Sequence, residues 1–174
     1  MGKQKLWKGL VAGSAAGLAA SLAMNQFQSL WSKASKKLSD KNGQSSSQQS
    51  GEDSEDATMK AAGKVAEIAG YHLSREQKKK AGTIVHYAFG TGMGALYGTI
   101  MELGPRELRR HELLSGMGFG SVLFAGADEI AVPAAGLSEP PQKSPASSHL
   151  YALASHVVYG LTTGAVRKAV RAVL

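Results

Sequence analysis

The sequence predicts an all-α integral membrane protein, a four-helix bundle packed through small-xxx-small stripes of glycine. Three observations support this fold class. Four long segments are nearly free of charged residues, basic residues cluster at the ends of these segments, and glycine recurs at every fourth position inside them. We expect residues 1–174 to form a single membrane domain.

The four apolar segments set the predicted spans. A helix needs about 20 mostly apolar residues, and at least about 17, to cross the hydrocarbon core of a bilayer. Two of the uncharged runs fall slightly short, but Lys8 at the edge of the first can extend its ammonium group toward the headgroups. The predicted membrane helices lie near residues 6–27, 81–103, 112–134 and 149–170. A soluble bundle of short, Gly-rich buried helices is the alternative.

The long connection between the first two helices has two parts. Residues 39–57 are rich in Ser, Gln and acidic residues and lack apolar periodicity, so we expect a disordered polar insert. Residues 58–80 begin with apolar side chains at helical spacing, including Met59, Ala62 and Val65, which predicts an amphipathic interfacial segment. A short solvated helix explains the same pattern.

The distribution of charge favours lipid as the partner. The net charge of +7 permits nucleic acid or anionic lipid, but the basic residues flank the apolar segments, where they hold helix ends at the headgroups. No aromatic residues alternate with them as in a strand-binding groove, so nucleic acid is not expected. Three Arg in the short connection 104–111, against one Lys in 135–148, place both termini in the cytoplasm, although the Lys-rich connection 28–80 favours the opposite orientation.

The glycines predict close helix packing. Glycine costs a helix interior about 1 kcal/mol relative to alanine. In lipid, where little hydrophobic force drives helices together, close contact between backbones stabilises helix pairs instead. We expect contact between helices of the same chain or with a second copy, giving a homodimer. The predicted packing residues are Gly13, Gly17, Gly90, Gly94, Gly98, Gly116, Gly120, Gly160 and Gly164.

A weak internal repeat accompanies the glycines. The segments "HYAFGTGMGAL" (86–96) and "HVVYGLTTGAV" (156–166) share a His, an aromatic residue three positions later, a Gly four positions later and a Gly-Ala pair. At a second fixed offset, Gly13, Gly17 and Asn25 correspond to Gly116, Gly120 and Asp128. Duplication of a two-helix unit and simple similarity of composition both explain this pattern.

Polar residues at one end of the stripes predict a shared site. In an up-down-up-down bundle, the C-terminal ends of helices one and three share a leaflet with the N-terminal ends of helices two and four. Ionisable groups in membrane helices are costly and tend to be functional, and His titrates near pH 6.5, so we expect a proton-sensing cluster there. Its predicted members are Asn25, His86, Asp128, Glu129 and His156, with His149 nearby. The alternative is a structural role, in which these side chains form hydrogen bonds between neighbouring helices.

Other classes of function were weighed against proton sensing. The His, Asp and Glu residues suit a divalent metal, which makes a membrane metalloprotein one alternative, and a small proton-linked channel or transporter is another. The chain has no Cys, no metalloprotease spacing of His on a helix and no nucleophile elbow around a Ser. We therefore expect no enzyme activity, no catalytic residue, no bound metal and no cofactor.

Three longer motifs, "HYAFGTGMGALYG", "ADEIAVPAAGLSEPP" and "SHVVYGLTTG", resemble the YagU-like family of bacterial inner-membrane proteins of unknown biochemical function. The resemblance covers the first apolar segment and residues 70–170, but not the insert 39–57. It implies a multi-pass inner-membrane protein, a loose link to acid and envelope stress tolerance, and a homodimer. It supplies no active site.

The N-terminus has a second interpretation. Its basic residues, its apolar run and "SLAM" at 21–24 also resemble a signal peptide with a small-residue cleavage site. The small-residue stripe in the same segment favours retention of residues 1–23.

Overall fold

The computed structural model describes residues 2–42 and 55–174, with side chains placed for residues 6–37 and 55–174. Regular structure in these ranges is entirely helical, which confirms the predicted all-α class. A π-helical segment, Phe124–Ala131, joins α5 to α6, and a short 3-10 turn, Pro141–Lys143, precedes α7. The α-helices are α1 (Gly2–Asn42), α2 (Ala57–Ile68), α3 (Arg75–Leu103), α4 (Arg106–Arg110), α5 (Glu112–Leu123), α6 (Val132–Ala134) and α7 (Ala146–Val173).

Each predicted span lies within helical structure. The span 112–134 corresponds to α5, the π-helical segment and α6 taken together, whereas α1 continues far beyond residue 27. Helix α3 begins at Arg75 because Ser74 caps it: the Ser74 hydroxyl accepts from the Gln77 amide at 3.4 Å, and the Gln77 side chain accepts from the Ser74 amide at 2.8 Å. The end of the predicted segment 58–80 therefore belongs to α3.

The predicted insert 39–57 is only partly described. Residues up to Asn42 continue α1, and Asp56 caps α2 by accepting a hydrogen bond from the Met59 amide at 2.8 Å. Residues 43–54 lie outside the described part of the chain, so the predicted disorder remains a prediction there.

Helix α2 packs across the N-terminal half of α3. Met59 and Ala62 are buried, and Gly82 of α3 makes room, because a Cβ atom there would lie 3.0 Å from the Met59 amide nitrogen. Val65 on the same predicted face is 66% exposed, so the apolar face is covered only in its first turns. A left-handed Gly70 (φ 81°) then reverses the chain toward α3.

The long helices form an antiparallel bundle in the spatial order α3–α1–α7–α5. Along α1 and α3, residue numbers run in opposite directions through the contacts, with Gly13 against Gly94 and Gly17 against Gly90. The Trp31 and Tyr151 rings lie 5.8 Å apart, which brings the C-terminal half of α1 beside the start of α7. The helices therefore alternate up and down in chain order.

Small and polar side chains fill much of the bundle interior, together with Tyr97, Met101 and Tyr159, while many large apolar side chains face outward. Ala12, Ala16 and Ala20 are completely buried on α1, and so are Ser155 and Thr163 on α7. The outward apolar residues include Leu18, Leu22, Leu96, Val122, Ile130 and Leu150. Among the described residues, one helix, over Leu6–Lys37, is long and apolar enough to cross a membrane by length and composition, with a mean hydropathy of 1.3 over an 18-residue stretch.

Candidate functional site

A cavity of about 710 Å³, here called the end cavity, lies at one end of the bundle. Its walls are formed by residues 21–28 of α1, the N-terminal half of α3, the π-helical segment and the N-terminal half of α7. Helix α2 covers it, and the Lys64 ammonium group donates to the Ala135 carbonyl at 2.7 Å, which ties α2 to the connection before α7.

The structure brings four of the five predicted cluster residues to this cavity. Asn25, His86, Asp128 and His156 all line it. Glu129 does not, and instead contacts His149 Nδ1 through Oε1 at 2.8 Å. The predicted cluster is therefore divided into a cavity set and a separate Glu129–His149 pair.

The π-helical segment positions the neighbouring acids Asp128 and Glu129. This widened segment was not predicted from the sequence. The signal was Pro133, which has no N–H to donate to the Glu129 carbonyl and whose ring would clash with that carbonyl in a regular α-helix. A widened turn relieves this clash. Such turns occur often at functional sites, and here Asp128 reaches the cavity while Glu129 pairs with His149.

The geometry around His156 fixes its tautomer. Its Nδ1 lies 3.0 Å from the Ala152 carbonyl oxygen and 3.6 Å from Asp128 Oδ2. A carbonyl oxygen only accepts, so Nδ1 carries the proton, and Nε2 of the neutral ring is an acceptor. The ring is almost fully buried, whereas 40% of the Asp128 side chain is exposed.

His86 approaches the cavity from α3. Its Nε2 is buried without a hydrogen-bond partner among the described residues. The ring meets Tyr87 edge-on at 5.4 Å, and the Tyr87 hydroxyl accepts from Asn25 Nδ2 at 2.9 Å. This contact holds α1 and α3 together beside the histidine.

A charged network, here called the arginine network, occupies the opposite end of the bundle. Arg167 is completely buried and donates to Glu112 Oε1 and to Glu102 Oε1, each at 2.8 Å. Arg171 donates to the same Glu102 oxygen at 2.7 Å. The network joins α3, α5 and α7. No site was predicted there from the sequence, although Glu112 lies one turn before Gly116 on its stripe.

The predicted packing glycines lie at two helix–helix contacts of the same chain. A Cβ atom on Gly13 would lie 2.9 Å from Gly98 Cα, and one on Gly160 would lie 2.9 Å from the Gly116 carbonyl carbon. At both of these positions the obstructing atoms are backbone, so a Cβ atom would force the helices apart, whereas a Cβ atom on Gly90 would meet the Ser21 side chain. The α1–α3 pair uses Gly13, Gly17, Gly90, Gly94 and Gly98, and the α5–α7 pair uses Gly116, Gly120, Gly160 and Gly164.

Two further observations bear on function. Within residues 55–174 and the described part of α1, no three His, Asp or Glu side chains are grouped so that they could hold a metal ion. Comparison with known proteins does not indicate a function, because no family model, curated protein or solved structure matches the chain.

Proposed function

We propose that this chain is a multi-pass inner-membrane protein whose end cavity takes up protons and couples that uptake to helix packing. One observation carries the proposal: His86 of α3, Asp128 of the π-helical segment and His156 of α7 surround a single cavity. Because these groups belong to different helices, a change of charge there acts between helices.

The membrane location rests on the distribution of side chains. In a soluble bundle, large apolar residues fill the core, and extended apolar patches seldom face water. Here small residues, an ion network and a few larger side chains such as Tyr97, Met101 and Tyr159 fill the interior, while many leucine, isoleucine and valine side chains face outward. Inward-facing Gly, Ser, Thr and His lower the mean hydropathy of α3 and α7, yet the outer faces remain apolar.

The proposal also includes four membrane spans, cytoplasmic termini and a role in acid and envelope stress tolerance. The charge of the short loops supports the orientation, and the family resemblance supports the membrane location and the stress role.

The expected response to acid follows from the charges around the cavity. Neutral His156 already carries its proton on Nδ1, so a second proton binds Nε2 and makes the ring a cation. The cation attracts Asp128 and repels a protonated His86. Asp56 of α2 and Lys79 of α3 also line the cavity and contribute one charge of each sign. Proton uptake by the two histidines would therefore change the balance of forces between α3, the π-helical segment and α7.

The test is the thermal stability of the purified chain in mild detergent at pH 7.5 and pH 5. We expect His86→Ala combined with His156→Ala to lose much of the wild-type shift in unfolding temperature between these pH values. The matched control is His72→Ala combined with His111→Ala, because both residues are exposed and lie outside the cavity. Identical pH dependence in all three proteins would show that the cavity histidines are structural.

We also propose that the chain forms a homodimer, through a surface other than the glycine stripes. The glycine stripes are filled by helices of the same chain, so a second copy would have to bind another surface. Chemical crosslinking of the same three proteins at both pH values measures whether a homodimer forms and whether it responds to acid.

A further inference from the structure

The hydroxyl groups on the wall of the end cavity present hydrogen-bond acceptors. Its lining includes four hydroxyl groups, and each of them donates its proton to another group of the chain. Once the proton is donated, the oxygen offers only lone pairs to a ligand. The donations are Ser21 to the Gly17 carbonyl at 3.0 Å, Thr58 to Asp56 Oδ1 at 2.7 Å, Thr83 to the Lys79 carbonyl at 3.0 Å, and Tyr159 to the Gly90 carbonyl.

Asp128 has the strongest remaining capacity to accept. The other carboxylate on the wall, Asp56, already accepts two hydrogen bonds through Oδ1, from the Met59 amide and the Thr58 hydroxyl. Asp128 lies 3.6 Å from His156 Nδ1, whose proton points to a carbonyl at 3.0 Å. A half-exposed carboxylate without a close donor therefore faces the cavity.

Most of the remaining wall is apolar, apart from Asn25, Gln28, Lys79 and the two histidines. Met24, Phe89, Leu123, Val132 and Leu137 contribute side chains to the lining. The volume of about 710 Å³ falls within the range of roughly 300–1,000 Å³ that small-molecule sites occupy. A ligand that matches this wall brings hydrogen-bond donors, a positive charge and an apolar group.

We propose that the end cavity binds an organic ammonium ion with an apolar substituent, whose N–H groups donate to Asp128 and to the neighbouring acceptors. The inference rests on the proposed function, because the same residues take up protons. The charged residues lining the cavity are Asp56 of α2, Lys79 of α3 and Asp128. Protonated histidines would oppose the cation, so proton and ammonium compete. A free amine and an aminophospholipid headgroup share this chemistry.

Binding to the full chain in maltoside micelles at pH 8 tests the inference by calorimetry. The three probes are 4-phenylbutylamine, the neutral 4-phenylbutanol, and 4-phenylbutyltrimethylammonium, which keeps the charge and lacks N–H donors. We expect the amine to bind at least tenfold more tightly than either of the other two. Displacement of the bound amine by phosphatidylethanolamine identifies a lipid headgroup as the source, and failure to displace it identifies a free amine.

Variants link this binding to the cavity. Asp128→Asn should weaken amine binding at least tenfold, whereas Glu139→Gln, an exposed acid outside the cavity, should leave it unchanged. Ala61→Trp fills the cavity from α2, outside the bundle, and should abolish binding without altering charge. Equal binding of amine and alcohol, or wild-type affinity in Asp128→Asn, would overturn the inference.

The two proposals fail separately. Selective amine binding at pH 8 without a histidine-dependent response to acid would overturn the proposed function and support the ammonium site. A histidine-dependent acid response without discrimination between the probes would overturn only the ammonium site.

Discussion

Gly94 and Gly92 lie two residues apart on α3 and provide a matched test of the glycine contacts. A Cβ atom on Gly94 would lie 2.5 Å from Gly17 Cα and 2.6 Å from the Gly17 amide nitrogen. A Cβ atom on Gly92 would meet nothing within 4 Å. Backbone atoms cannot rotate away as a side chain can, so α1 and α3 must separate to admit a methyl group at Gly94.

The magnitude follows from two opposing effects. Replacing Gly by Ala inside a helix gains about 1 kcal/mol of helix propensity at either position. Gly92→Ala should therefore raise the free energy of unfolding by up to about 1 kcal/mol. Gly94→Ala has the same gain but also overpacks the contact, which costs about 2–3 kcal/mol because the obstructing atoms are backbone. We expect a net loss of about 1–2 kcal/mol, and a larger loss for Gly94→Leu.

The assay is unfolding of the purified variants in mild detergent by titration with sodium dodecyl sulfate, followed by far-UV circular dichroism. Helix α5 supplies a second matched pair, because Gly120 is in backbone contact with α7 while Gly118 faces open space. Equal changes in the free energy of unfolding for Gly92→Ala and Gly94→Ala would refute close backbone contact between α1 and α3.

The arginine network gives two further predictions, measured by the same titration. Arg167→Met should lower the free energy of unfolding by about 3–5 kcal/mol, because it leaves the buried Glu112 without its counter-charge, and wild-type stability in this variant would contradict the observed pairing. Adding Glu112→Leu to Arg167→Met should recover most of that loss, since a packed apolar pair can replace a buried ion pair at little cost. A double variant as unstable as Arg167→Met alone would show that Glu112 is not the carboxylate left uncompensated.

Local signals in the sequence predicted the helices and the convergence of the polar residues. Apolar length located all four long helices, and the alternation of direction placed Asn25, His86, Asp128 and His156 at one end, where they line the end cavity. The direction and composition of the helices are enough to predict this convergence, because each residue needs to be placed only to within about one helical turn.

The register between helices could not be predicted. The internal repeat aligns Gly13 with Gly116. In the structure Gly116 is instead equivalent to Gly17: Gly17 contacts Gly90 and Gly94, and Gly116 contacts the residues that the repeat aligns with them, Gly160 and Gly164. A stripe with a period of four looks the same after a shift of one turn. Only the contacts between backbones distinguish the two registers.

The burial of Arg167 was not predicted, for a related reason. The glycine stripe of α7 continues to Lys168, whereas the buried cation is Arg167, the preceding residue. One residue rotates a side chain by about 100° around a helix, so a stripe identifies the contact face but not which neighbouring charge enters the core.

Labelling of single cysteines most directly tests the claim that this chain is a membrane bundle with both termini in the cytoplasm. Because the end cavity lies at the opposite end of the bundle from the termini, this orientation places it toward the periplasm. The chain contains no native Cys, so each introduced thiol is unique. In intact cells, a membrane-impermeant maleimide should label Glu139→Cys but should label Glu107→Cys only after permeabilisation. Val122→Cys, 70% exposed on the outer face of α5, should remain unlabelled until the membrane is dissolved. Labelling of both connections from the same side, or of Val122→Cys in intact membranes, would contradict the account.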